Sequence, residues 1–392
     1  MKNRFSLIGS ATAATIASAA LGQTPDESRA LVSELLSDAS TRTSAIDAAA
    51  YVPTVGGFAA FRYNWNNRND NNLSDSSTIG FQNALTKIWV TGKVFTDQFG
   101  YRIQAQYPRD GGELLLDDAF GTYSPDDDTK ITVGQFKTPI LREENMSDYK
   151  QLAINRSVTH AEFGQGRSQG VMLVHTRGPI RVAAAFTDGL RTNNTDFDSA
   201  AEADYAFTGR FDWRCCGDDW AAGDQFTSFR GAPSYGRLGV AAHYQGGGDT
   251  FNTADTNTFL STIDAEFKGS GWNVFGAGVW RCVEPMMGDN IDDFGLLVQG
   301  GAFVSDQTEI FGRVDSVIPD GDRVNDDPFT TLTFGINHYV APESQAFKLT
   351  GEVGYFLDEQ ASSIVAPSTL TGVLPSGDDG QWIVRLQVQF VF

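Results

Sequence analysis

The sequence predicts an all-β fold: a 16-stranded antiparallel transmembrane β-barrel with a short helical N-terminal leader. Three observations carry this. First, Gln381 to Phe392 reads Q-W-I-V-R-L-Q-V-Q-F-V-F, where Trp382, Val384, Leu386, Val388, Phe390 and Phe392 form one apolar row at period two. Successive strand side chains point to opposite faces, so one face is greasy and the other, with Arg385, Gln387 and Gln389, is wet. An apolar band about ten residues long with aromatics at both ends is what a membrane-crossing strand requires. Second, no run beyond the N-terminus reaches the ~18 apolar residues of a membrane helix. A chain of this kind crosses lipid only as a closed barrel, because open sheet edges cannot sit there. Third, from Val55 onward the chain is a succession of alternating segments separated by turn-rich gaps.

Composition sets the bounds. The 392 residues, with 41 Gly, 28 Phe and only 13 Pro, suit one large β domain or two smaller ones. A net charge of −20 and a pI near 4.5 argue against nucleic acid as a partner. Charged residues at 20% and aromatics at 12% are too apolar a mixture for disorder. Three cysteines, Cys215, Cys216 and Cys282, rule out a dense disulfide framework. No His/Cys cluster accompanies the adjacent pair, so neither a metal nor another cofactor is expected.

Taken in order, Lys2 and Arg4 precede an apolar run from Leu7 to Leu21, and Ala20 and Gly22 supply small residues before Gln23. Residues 1–22 therefore read as a secretory signal peptide. Its removal takes Lys2 and Arg4 and no acid, moving the charge from −20 to −22. Residues 23–50 read as a periplasmic leader. Thr24 with Glu27 resembles a capping box with Pro25 at the first helical position, and Leu31 and Leu35 give a short apolar stripe. This is either a flexible leader with a transient helix or a short association helix.

The barrel spans 51–392. Strands are expected at 55–65, 79–95, 99–107, 113–123, 130–137, 168–176, 179–188 and 204–214. The second half gives 234–244, 258–268, 272–282, 293–304, 308–318, 329–340, 346–357 and 381–392. The segment 79–95 is too long to alternate cleanly, and only 138–166 shows a weak helical period. With Phe392 at the inner rim, the gaps counted backwards should alternate long outside and short inside. They do so except at 215–233, which should be short and is not. That turn either folds against the barrel mouth or signals a wrong pairing. Cys282 falls at the opposite rim from Cys215 and Cys216, which excludes a bridge between them.

Gly134-Gln135-Phe136-Lys137-Thr138-Pro139 closes a strand and opens the long connection 138–167, with Glu143 and Glu144 soon after. Leu116-Asp117-Asp118-Ala119-Phe120 precedes it and Gly166-Arg167-Ser168-Gln169-Gly170-Val171 follows. Over about residues 100–190, and at the C-terminal aromatic strand, the chain resembles the phosphate-selective porin O and P family of the bacterial outer membrane. The resemblance implies a 16-stranded porin embedded in outer-membrane lipid, a homotrimer, and loop 138–167 folded inward as a constriction.

The residues themselves also speak for a pore. Sixteen strands enclose more space than side chains fill, and charged wet faces do not suit a dry core. The polar phase of the strands supplies Arg62, Arg102, Lys137, Arg181, Arg210, Arg214, Arg237, Lys268, Arg281, Arg313, Lys348 and Arg385. The same phase gives the acids Asp118, Asp204, Asp212, Asp264, Glu266, Glu309, Asp315 and Glu352, so the excess acid lies in loops. Charge rings set ion preference, and Arg and Lys favour anions. Either this modest surplus makes the channel anion-leaning, or the wall charges simply pair across strands. The loop itself is balanced: Arg142, Lys150, Arg156 and Arg167 oppose Glu143, Glu144, Asp148 and Glu162. His160 adds charge only below about pH 6.5. That balance departs from a dedicated phosphate trap. Lys137, Arg142, Arg156 and Arg167 are the expected solute contacts; Glu143 and Glu144 either join them or tie the loop to the basic wall.

The expectation is a passive channel for small anions or polar solutes. A lumen-blocked binding or adhesion barrel is the alternative, and a barrel hydrolase a more distant one. His160, His175, His243 and His338 have neither metal-ligand spacing nor an evident nucleophile, so an enzyme is not expected.

Overall fold

The structure, a computed structural model, describes residues 51–68, 76–107, 114–247 and 256–392. The signal peptide and leader readings, 1–50, lie outside the described residues. The chain falls into two compact units. One is the barrel, 54–91 with 98–392; of the other, 51–53 and 92–97 are described, and there the Tyr51 hydroxyl donates to the Phe95 carbonyl at 3.2 Å.

The barrel strands are β1 (Thr54–Asn67), β2 (Ser77–Val94), β3 (Thr96–Tyr107), β4 (Leu115–Tyr123) and β5 (Thr129–Phe136). Then follow β6 (Ser168–Arg177), β7 (Ile180–Thr187), β8 (Tyr205–Cys216), β9 (Tyr235–Gly246), β10 (Asn257–Gly269) and β11 (Trp272–Glu284). The last are β12 (Ile291–Phe303), β13 (Thr308–Ile318), β14 (Phe329–Tyr339), β15 (Phe347–Phe356) and β16 (Trp382–Val391). Every expected strand coincides with one of these. Each strand is hydrogen-bonded to its sequence neighbours, and β1 closes on β16 from Phe58↔Val391 to Asn67↔Trp382. Closure satisfies every edge, which is the condition for crossing lipid.

Period two divides the strands into two faces. On β16, Ile383, Arg385, Gln387 and Gln389 are buried in the interior, while Leu386 and Phe390 face outward and are exposed. On β8, Phe207, Phe211 and Trp213 face out while Thr208, Arg210 and Asp212 are buried. An apolar band running round the whole exterior is far larger than a water-soluble surface tolerates, so lipid covers it. Aromatic pairs edge that band. Trp65 and Trp382 meet edge-to-face at 5.0 Å near the long-loop rim, and Phe347 and Phe390 stack at 4.7 Å near the other.

Two irregularities near the site shift the alternation, and a third, at Cys215, interrupts the pairing of β8 with β9. Between β1 and β2 the register steps from Ala60↔Leu85 to Phe61↔Asn83, leaving Ala84 as a bulge. Between β3 and β4 it steps from Gln104↔Asp118 to Ala105↔Leu116, which leaves Asp117 unpaired in the ladder. A bulge re-aims the side chains beside it. Both lie at the site described next.

The turn 217–234 is long, but β8 and β9 pair on both sides of Cys215, from Tyr205↔Gly246 to Cys216↔Gly236. The strand assignment therefore stands, and the extra residues fold against the inner wall. Cys215, Cys216 and Cys282 are all free.

Candidate functional site

The interior is organised by the β5–β6 connection. It contains helix α1 (Arg142–Asn145), a 3-10 turn (Asp148–Lys150) and helix α2 (Val158–Phe163). Ser157 caps α2 by accepting from the His160 N–H at 2.9 Å. The Glu143 carboxylate in turn accepts from the Ser157 N–H at 2.8 Å and its hydroxyl at 2.6 Å. At the loop's root Gln165 bonds the Leu141 N–H at 3.2 Å and the Thr138 carbonyl at 2.8 Å, closing the two ends together. Ile140, Leu141, Val158 and Phe163 are buried in one apolar cluster with wall residues such as Leu260, Val279 and Val317, so the loop is packed onto the wall.

Inward side chains of distant strands hold this loop by its backbone. Glu352 of β15 accepts from the Ile154 N–H at 2.8 Å, and Asp315 of β13 from the Val158 N–H at 2.6 Å. Arg313 donates to the Asn155 carbonyl at 2.7 Å, Lys348 to Gln151 at 2.9 Å, and Arg210 to Ile140 at 2.7 Å. Arg62 reaches the Asn155 side chain at 2.8 Å, and Arg281 pairs with Glu162 at 2.7 Å. Backbone groups left free by an irregular loop thus find partners on the wall.

The wall from β8 to β16 is charge-paired. Arg210 and Arg237 both bridge Asp212 and Asp264, with N–O distances of 2.7 to 2.8 Å. Arg281 and Arg323 share Asp293, at 2.7 and 2.6 Å. Arg313 meets Asp315 at 3.2 Å, Arg385 pairs with Glu352, and Lys268 meets Glu266 at 2.7 Å. Of the wall cations expected from sequence, Arg62, Arg210, Arg237, Arg281, Arg313 and Arg385 are buried on this side or against the loop.

Arg102 and Arg181 lie elsewhere, on the wall from β2 to β7, where the interior stays open. Three cavities adjoin one another along it. A middle one of about 310 Å³ is lined by Lys87, Arg102, Lys130, Lys137 and Arg167 with Asp118 and Asp148. A second, about 550 Å³, extends toward the short-turn rim past Lys130, Lys137 and Arg181 to Asp127, Asp128 and Asp224. A third, about 590 Å³, lies toward the long-loop rim with Lys87, Glu144, Arg156 and Arg167. Shared lining residues join them into one water-accessible track.

In the middle of this track the carboxylates are committed, whereas Asp127, Asp128 and Asp224 at its short-turn end have no ion-pair partner among the described residues. Asp148 takes Lys87 at 2.9 Å and Arg156 at 2.5 Å. Asp118 takes Arg102 at 3.1 Å and Arg167 at 2.7 Å, and Asp117 takes Lys87 at 2.8 Å and Arg167 at 3.3 Å. Glu144 bonds Lys137, 3.1 Å away, and His160. Burial opposes ionisation of the Glu144 carboxyl, yet Lys137, His160 and Arg156 hold it well below the usual range. Burial pulls the Lys137 ammonium down to about 8 against the attraction of Glu144. Among the described residues neither Lys130 nor Arg181 lies within ion-pair distance of a carboxylate; Arg181 bonds Thr176 at 3.1 Å and sits 4.4 Å over the Trp220 ring.

The residues singled out in the loop play unequal parts. Lys137 and Arg167 border the track. Arg156 also staples the loop, donating to the carbonyls of Glu143 at 3.0 Å and Met146 at 2.7 Å. Arg142 turns to Glu266 at 3.3 Å and to the Gly223 carbonyl. Glu143 lies 4.0 Å from Arg313 and serves mainly the Ser157 cap. Lys87, Asp117, Lys130 and Asp293 were missed. The Ala84 bulge puts Lys87 and Trp89 into the lumen. Lys130 was given the wrong face because β5 ends at Phe136 and Lys137 already belongs to the loop. The tandem Asp117-Asp118 was a usable signal, since two adjacent acids sharing one set of cations need a bulge. Asp204 lies just outside β8 and is exposed.

No family model and no curated protein matches this sequence. Solved structures do match, over nearly all of the barrel. An anion-selective porin from Comamonas acidovorans is 12% identical, with 87% of this chain and 100% of that chain covered at a TM-score of 0.61. OprB of Pseudomonas putida is 10% identical, covers 90% and 96%, and gives 0.59. OmpT, expressed in the outer membrane of Vibrio cholerae, is 11% identical, covers 88% and 98%, and gives 0.58. At such identities the likeness establishes a shared barrel fold.

Proposed function

We propose that this protein is a porin of the bacterial outer membrane, a passive channel for small hydrophilic solutes and ions with a modest preference for anions. The carrying observation is the charge in the middle of the open track: Asp117, Asp118, Glu144 and Asp148 are each bonded to two basic side chains, Lys130 and Arg181 are in no ion pair, and the unpaired acids Asp127, Asp128 and Asp224 lie beyond them toward the short-turn rim. Uncommitted cations in an aqueous pore favour anions. The lipid-facing band and the shared fold with outer-membrane proteins, one of them an anion-selective porin, support this reading.

In this proposal, residues 137–167 form the constriction, and Lys137 and Arg167 with Lys87, Arg102 and Lys130 meet the passing solute. The likeness of Gly134–Pro139 to phosphate-selective porins supports a porin. The geometry favours anions in general over a phosphate trap, because Arg156 and Arg167 already spend their forks on carboxylates and carbonyls. We also infer a homotrimer, since one in-vitro folded OmpT of Vibrio cholerae is in a trimer form. The test is conductance of the purified protein in a planar bilayer under a salt gradient, with phosphate added as a blocker. The expected result is ohmic channels, a reversal potential of anionic sign and weak phosphate block. A cationic sign would overturn the preference, and absence of channels would overturn the function.

A further inference from the structure

The turn 217–234 is out of proportion to its task, because β8 and β9 could be joined at this rim by a few residues, as β10 and β11 are by Ser270 and Gly271. Ordering so long a segment costs conformational entropy that only specific contacts offset. Those contacts lie inside the barrel. Phe226 is buried, with its ring 4.9 Å from that of Phe275 on β11. The Thr227 hydroxyl shares a 2.8 Å hydrogen bond with Tyr339 on β14, and Ser228 donates to the Gly269 carbonyl at 2.7 Å. Lys268 on β10 donates to the Ala222 carbonyl at 3.0 Å.

The same segment also meets the β5–β6 loop. The Phe226 N–H donates to the Lys150 carbonyl at 3.3 Å, Arg142 donates to the Gly223 carbonyl, and Phe226 packs in one apolar cluster with Met146 and Leu152. A loop from one rim and a turn from the other therefore join within the lumen. Most of the turn's contacts fall on β10 to β14, opposite the basic track, but Trp220 donates to the Gly178 carbonyl at 3.0 Å on the track side. On its near side Trp220 lies under Arg181, and Asp224 lines the inner cavity.

We propose that 217–234 is an inner partition of the channel and a determinant of its selectivity, an inference that rests on the porin reading. It fills the β10–β14 side of the lumen at the short-turn rim and braces the constriction loop through Phe226 and Arg142. Solute is thereby confined to the track that passes Lys130 and Arg181.

The test replaces 218–233 by an Asn-Gly turn in the full chain, with folding followed by heat-modifiable gel migration. Single-channel conductance should rise at least about twofold, larger polyethylene glycols should enter, and the anion preference should weaken. Phe226→Ala, which leaves the turn length intact, should raise open-channel noise by freeing the constriction loop. It carries the test if the shortened chain does not fold. Wild-type channels whose conductance, sizing and noise match those of the folded variants would overturn the partition while leaving the porin reading intact. A silent wild type with a conducting shortened variant would support the partition and overturn free diffusion. Silence in both would overturn both.

Discussion

The Lys137 ammonium lies 3.1 Å from the Glu144 carboxylate and donates to the Glu144 backbone carbonyl at 2.6 Å, at the root of the β5–β6 loop. Burial pulls this lysine down to about 8, with Arg156 and Arg167 adding to the effect and Glu144 opposing it. A lysine so depressed is charged at neutral pH and loses its charge as pH rises through that value. One unit charge about 10 Å from a passing ion in a water-like medium is worth about 0.4 kcal/mol, of opposite sign for anion and cation, or roughly fourfold in their permeability ratio. We predict that the anion preference falls by about that factor between pH 6.5 and 9.5. Lys137→Met should lack this step. Reversal potentials measured across the pH range check it, and identical profiles for the two proteins would remove Lys137 from the permeation path.

Lys130 and Arg181 line the open track without carboxylate partners among the described residues. Lys130→Glu changes the local charge by two units, which the same arithmetic converts to roughly tenfold or more in the anion-to-cation ratio. Arg181→Glu should act in the same direction, and the double variant should reverse the sign of selectivity. By contrast Arg237→Gln, within the paired cluster of β8 to β10, should change the ratio little. Equal effects at all three positions would show that paired and unpaired cations count alike.

Glu352 and Asp315 hold the loop by the N–H groups of Ile154 and Val158, at 2.8 and 2.6 Å. Removing an acceptor leaves a buried N–H unsatisfied, at a cost of about 1–3 kcal/mol. Each acid also pairs with a buried wall arginine, Arg385 or Arg313, so part of the loss falls on the wall, while the barrel ladder itself is untouched. We predict that Glu352→Leu and Asp315→Ala keep heat-modifiable barrels but flicker between conductance levels. Quiet single-channel traces from folded variants would count against the pins.

The β1–β16 seam holds a close approach at Gly57. The Gly57 backbone exchanges hydrogen bonds of 2.8 and 3.1 Å with Phe392, and a Cβ placed there would lie 2.3 Å from the Phe392 ring. Gly57→Leu should displace the exposed Phe392 ring, cost about 1 kcal/mol and lower the refolded fraction on a semi-native gel. Gly80→Leu, where a Cβ meets nothing within 4 Å, is the control and should refold normally. Equal refolding of both would show that the β1–β16 seam adapts to the added side chain.

Strand positions were legible from sequence because a membrane barrel forces one face of each strand to be apolar. β10, β13 and β16 alternate without interruption and could be assigned residue by residue. The site was less legible, for local reasons. Ala84 and Asp117 are bulged, and a bulge reverses the phase of the residues that follow it, Lys87 among them. Lys130 was lost through the end of β5 lying one residue earlier than expected. Nothing in the spacing of Arg156 marks it as a staple for backbone carbonyls and not as a solute contact.

By itself, then, the sequence determined the strands, their number, their order and which face of most of them meets lipid, since all of these follow from period-two patterning and loop length. Only the tertiary structure decided where the interior stays open. Which cations are spent on carboxylates, and how the turn 217–234 meets the β5–β6 loop, depend on side chains brought together from segments far apart in the chain. Arg142 and Glu266, 3.3 Å apart across the lumen, are such a pair. No local pattern encodes that distance, because closing the barrel is what sets it.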